Sequence, residues 1–241
     1  MSAASPAPET QSDPAAQVPV WDVATRAFHW CLVGLIISAY VTRNYVQDPT
    51  LYLHRLNGYA ILTLLLFRLL WGMVGSSTSR FAAFFPMPLP AIRYAVSLMK
   101  GRRLHYLGHN PLGAVLIFLM LLAVAAQALT GLFTSDDTLA QGPLYDHVSE
   151  AVSHKAGSYH AKGFWIILGL AALHIAANLI YQFVFRDHLV TAMVHGRKPA
   201  STYVDQQHAR FAPISRAALC FLLSAFVVGC GVILSGDSLL H

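Results

Sequence analysis

His160 and His174 stand fourteen residues apart within one apolar stretch. At the α-helical turn of about 100° per residue, that separation comes to about 1,400°, close to four full turns, so both imidazoles leave one helix face. Along the axis they are about 21 Å apart. A hydrocarbon layer is about 30 Å thick, so one ring lies near a membrane surface and the other well inside. Ionisable side chains within a bilayer are costly and mark function by default. Two imidazoles stacked on one helix predict two metal centres at different depths. Porphyrin iron, which accepts a neutral imidazole on each axial side, is the natural occupant.

The elements that position these rings follow from composition. The chain has 241 residues, 56% hydrophobic and 11% charged, against about 25% charged in a soluble domain. The missing charge predicts a surface that faces lipid. Five stretches approach or exceed the ~20 residues that a spanning helix needs: Thr25–Tyr45, His54–Gly75, Pro111–Phe133, His160–Phe185 and Ile214–Ser235. The first twenty residues have no basic start and no apolar centre, and read as a disordered tail, not a cleavable signal. Cys31, Cys220 and Cys230 fall inside predicted spans, and without a CxxCH motif covalent c-type haem attachment is not supported. Small apolar packing accounts for these cysteines.

Charge asymmetry orients the helices. The connection from Ser76 to Asn110 carries Arg80, Arg93, Lys100, Arg102 and Arg103 with no acid. The connection from Arg186 to Pro213 is also basic, whereas Thr134–Tyr159 carries Asp136, Asp137, Asp146 and Glu150 against Lys155. Lys and Arg favour the cytoplasmic side, so the expected topology has the N-terminus in the cytoplasm and the C-terminus in the periplasm. The net charge of +5 belongs to membrane flanks, so nucleic acid is not an expected partner.

Depth then pairs the histidines. His54 and His160 both open helices on the external side. His29, near the start of the first helix, and His174, about 21 Å below His160, share a second level. Four histidines from three helices thus make two bis-imidazole pairs, as two b-type haems stacked in a bundle core require. Each histidine near a helix end has a plainer reading as an interfacial polar residue; His174, far from either end, does not. His105, His147, His154, His188, His195 and His208 read as solvated. Gly58, one turn past His54, and Gly163, three residues past His160, allow a flat ring to approach, and helix packing explains them equally. Arg26, Arg55 and Lys162 flank the candidate ligands and can pair with haem propionates, or simply snorkel to the interface. Arg68 lies within the second span or marks its cytoplasmic end.

The segments Val20–Trp30 (VWDVATRAFHW), Leu53–Gly75 (LHRLNGYAILTLLLFRLLWGMVG), Leu107–Ala114 (LGHNPLGA) and His160–His174 (HAKGFWIILGLAALH) together make the chain resemble the bacterial cytochrome b561 family, which includes the b-type cytochrome subunits of nickel–iron hydrogenases. The resemblance implies an all-α integral membrane bundle with a four-helix di-haem core, its ligands matching His29, His54, His160 and His174, and a fifth, peripheral transmembrane helix. The expected organisation is a tail at 1–20, a cytochrome b domain at 21–190, a cytoplasmic linker at 191–213 and the fifth helix at 214–236. The implied function is electron relay in a bacterial inner membrane, between the quinone pool and a periplasmic cytochrome c, dehydrogenase or hydrogenase subunit. Iron held by two histidines has no open position, which favours one-electron transfer over substrate chemistry. The chain would then be the electron-transfer subunit of a larger oxidoreductase. His109 and Asn110 are candidate hydrogen-bond partners for a quinone. The competing readings are a histidine-based transition-metal or proton transporter and a structural membrane anchor.

Overall fold

The computed structural model of the protein describes residues 16–48, 50–135, 140–206 and 208–237. Its helices are α1 (Val23–Asn44), α2 (Tyr52–Val74), α3 (Pro88–Met99), α4 (Pro111–Gly131), α5 (Glu150–Leu179), α6 (Leu189–His195) and α7 (Ile214–Leu234). α5 runs on as a π turn through Ile180–Val184. Two short strands, β1 (Gln17–Pro19) and β2 (Arg197–Pro199), pair antiparallel. All but α3 and α6 are long and apolar enough to cross a membrane, and they form a multi-pass bundle.

Local chemistry sets the helix starts. Asp22 accepts from Thr25 N (2.7 Å) at the head of α1, and Asn110 accepts from Gly113 N (2.8 Å) at the head of α4, followed by Pro111. Each satisfies an amide that a first helical turn leaves orphaned. α5 starts at Ser149–Glu150, ten residues before the expected start at His160. Glu150–Tyr159 is helical but polar, so hydropathy marks only the part of the helix suited to lipid.

Packing centres on α2. Phe28 of α1, Leu64, Phe67 and Trp71 of α2, and Ala217 and Cys220 of α7 form one buried cluster. Ile61 and Leu65 of α2, Val124 of α4 and Ile167 of α5 form another. Trp71 also donates from its indole nitrogen to Thr25 Oγ1 at 3.2 Å. Elsewhere Trp165, Leu222 and Phe226 point outward, the arrangement of helices whose solvent is lipid. α7 lies along α2. Cys31, Cys220 and Cys230 are free thiols.

The end of the bundle near the start of α1 carries a polar cap that hydropathy does not reveal. Gln17–Pro19, within the segment expected to be a tail, is a strand, and Val20 beneath it is fully buried. The segment expected as a linker holds the end of α6 and its partner strand, β2. Val20, Trp21, Leu107, Ala192 and Tyr203 close a small core between them. A three-residue strand in a proline-flanked segment has too little pattern to be read from sequence; its partner 180 residues away supplies the burial. Residues 1–15 of the expected tail lie outside the described residues.

Asp205 ties the cap together by accepting from Leu107 N (2.7 Å) and Gly108 N (2.9 Å). Asp205→Ala leaves two shielded amides unpaired, at about 1–3 kcal/mol each. A lowered melting temperature of the detergent-purified protein, with intact helical circular dichroism below the transition, is the expected result; an unchanged melt would contradict it.

Candidate functional site

Two histidine layers lie between α1, α2 and α5. The ring centres of His54 and His160 are 6.1 Å apart with planes at 87°, and those of His29 and His174 are 6.4 Å apart at 45°. Neither separation allows a direct hydrogen bond. Two metal–nitrogen bonds of about 2 Å, plus about 1.1 Å from each nitrogen to its ring centre, amount to about 6.2 Å. Both pairs therefore stand at the distance of two imidazoles sharing one metal.

The donor set distinguishes porphyrin iron from a bare ion. No group of three or more histidines, cysteines or acids gathers at either layer among the described residues. A bare zinc ion takes three or four protein ligands. A porphyrin supplies four nitrogens itself and asks the protein for two, one on each face. The two pairs fit that requirement.

The two layers differ in how firmly their rings are held. In the upper layer, defined here by His54 and His160, His54 Nδ1 donates to Ala39 O and His160 Nδ1 donates to Gln127 O, both at 2.9 Å. These bonds fix each ring and leave Nε2 as the free lone pair, as a carbonyl partner on the other nitrogen commonly does for a metal-binding histidine. In the lower layer His29 Nδ1 is buried with no partner, and His174 Nε2 accepts from the Asn178 amide at 3.2 Å. His29 packs edge-on against Trp30.

Glycines shape the upper layer. A Cβ on Gly58 would meet nothing within 4 Å, so open space lies beside α2 one turn from His54. Gly163 instead admits the Gln127 side chain, and so serves the approach of α4 to α5. Gly131, which sequence alone does not single out, lies under the imidazole of His160: a Cβ there would come 2.9 Å from Cε1. Gly131→Ala is expected to push the ring off Gln127 and lower metal-centre occupancy in the upper layer alone. Optical titration with haem reads this, and two equally filled sites in the variant would refute it.

Of the candidate anion partners, Arg26 donates to Val194 O (2.7 Å) at the end of α6, Arg55 pairs with Asp237 (3.2 Å) just beyond α7, and Lys162 is exposed. Asn110 caps α4 through Oδ1, which accepts from Gly113 N; its side-chain NH2 takes no part in that bond. His109 is enclosed between Trp21 (4.6 Å between ring centres) and Phe84 (4.2 Å), with Nδ1 buried and unpaired. Burial first, and then the positive charges of Arg68 and Lys198, push its pKa down to about 3. The carbonyls of Ala39 and Gln127, which orient two rings, carry no side-chain signature and were beyond sequence reasoning.

The sequence model of the prokaryotic cytochrome b561 family matches residues 20–196. Proteins named probable Ni/Fe-hydrogenase B-type cytochrome subunit are similar over most of their length. The one from Azotobacter chroococcum is 24% identical over 208 residues, covering 73% of this chain and 86% of that protein. The one from Bradyrhizobium diazoefficiens is 24% identical over 210 residues (74% and 85%), and that from Cupriavidus necator 22% over 209 (73% and 85%). With the family pattern running from Val20 through the fourth spanning helix, the chain belongs to the prokaryotic cytochrome b561 family: it is a multi-pass bacterial membrane b-type cytochrome that carries haem b and transfers electrons.

Proposed function

We propose that the protein binds two b-type haems, one held by His54 and His160 and the other by His29 and His174, and relays electrons between a periplasmic redox partner and the quinone pool. The observation that carries this reading is the pair of imidazole separations, 6.1 and 6.4 Å, each close to the span of two imidazoles on one metal, with no larger ligand group among the described residues. Haem iron supplies reversible one-electron exchange without an open coordination position. The chain orients the His54 and His160 rings through backbone carbonyls, excludes water with the α2-centred core, and keeps the layers at different depths on α5.

In this reading the N-terminus is cytoplasmic, the lower layer lies towards the cytoplasm and the C-terminus is periplasmic, in keeping with the basic connections around α3 and α6. The cytochrome domain is assigned to 21–190 and α7 to a peripheral position, with β1 and β2 belonging to a cytoplasmic cap. The names of the relatives favour a hydrogenase as the periplasmic partner; a cytochrome c is the other candidate.

A haemochrome assay on the purified full-length protein is expected to give two haems per chain. A ratio of one would remove the two-layer scheme. In proteoliposomes, a quinol should reduce the haems; oxidised spectra that persist under quinol would separate the protein from the quinone pool.

A further inference from the structure

Arg68 is 4% exposed, deep in α2, and its Nη1 has no hydrogen-bond partner. It makes no ion pair among the described residues, whereas the other buried cation, Lys198, has Asp187 at 3.2 Å. Asp22, the acid whose charge reaches Arg68, is already occupied: its oxygens accept from Thr25 N, Thr25 Oγ1 and Ser79 Oγ at 2.7–3.0 Å. Burying a guanidinium without an ion pair is costly, and this makes Arg68 a candidate to hold an anion from outside the chain.

Its position says where that anion belongs. Arg68 follows His54 by fourteen residues, the spacing that separates His160 from His174. It therefore shares the face of α2 that presents His54, one layer lower. The guanidinium carbon rests 4.5 Å from the Phe81 ring centre and 5.7 Å from that of Phe84, a cation–π clamp that fixes its direction. Phe84 also packs against His109 (4.2 Å between ring centres), whose Nδ1 is buried without a partner. Arg68 Nη1 and His109 Nδ1 are thus both buried without partners, and the charges of Arg68 and His174 both reach His109.

We propose that Arg68, with His109 as a second donor, holds a carboxylate of the porphyrin bound between His29 and His174. This rests on the di-haem reading. It assigns the propionate contact of the lower layer to Arg68 in place of Arg26, which is tied to Val194 O. The planar fork of arginine suits a carboxylate through two parallel bonds.

The test uses a full-length His160→Ala chain, which retains only the lower pair, titrated with iron protoporphyrin IX and with its dimethyl ester. Native haem is expected to bind about 10- to 100-fold more tightly than the ester, the usual cost of losing an outer partner of a metal site. Arg68→Gln in the same background should erase that preference, and Arg68→Lys should restore part of it. The ester comparison in the unmodified Arg68 chain does not depend on any Arg68 variant folding. Equal affinity for the two porphyrins would overturn the proposal and leave the di-haem reading standing. Failure of either porphyrin to give a bis-imidazole spectrum would instead overturn the di-haem reading.

Discussion

His174→Ala is expected to remove one haem and leave the other in place. His174 lies well within the apolar length of α5, and its partner across the layer, His29, has a buried ring nitrogen with no hydrogen-bond partner. Without His174 the layer would keep His29 alone, and about half of the b-type absorbance should disappear. The upper pair should persist, because His54 and His160 are held by Ala39 O and Gln127 O, which the substitution does not touch. Haemochrome quantitation with low-temperature spectra of the reduced protein resolves the two centres. Two full-strength centres in the variant would show that His174 is not a ligand.

Lys198→Ala should have the largest effect on stability. The Lys198 side chain is 1% exposed and bonds both Asp187 (3.2 Å) and Tyr106 O (3.0 Å), stitching β2 to the segments on either side of it. Burial lowers the pKa of its amine, and Asp187 opposes that shift. Removing one member of a buried pair leaves the other charge uncompensated, at about 3–5 kcal/mol. The cap should loosen first, so limited proteolysis should cut near β2 while the spanning helices remain protected. Replacing both partners together, as Lys198→Met with Asp187→Leu, should recover most of the loss, since an apolar pair of similar volume is often neutral. A single variant as resistant as the parent would contradict this account.

The histidine pairing was legible because it depends only on helical rise and bilayer thickness. The fourteen-residue interval of His160 and His174, together with helix direction, brings His29 level with His174 and His54 level with His160, and the ring centres of these pairs lie 6.4 and 6.1 Å apart. The same interval from His54 to Arg68 was equally present, yet a basic residue near a helix end also reads as an interface marker. The start of α5 was misread because its first turns are polar. The cap was not legible because its energy lies in long-range contacts, such as Val18 beside Lys198 and Asp205 beneath Leu107, made by segments with no periodicity of their own. Arg55, expected to be free for a propionate, is engaged by Asp237 from beyond α7, a contact between residues 182 positions apart.

α5 remains regular α-helix from Glu150 to Leu179, and its departure into a π turn begins only after His174. One stiff rod therefore carries a ligand candidate for each layer. On the proposed di-haem reading, this rod holds the spacing of the two centres when the cap loosens, and control over current acts on the energy levels at its ends.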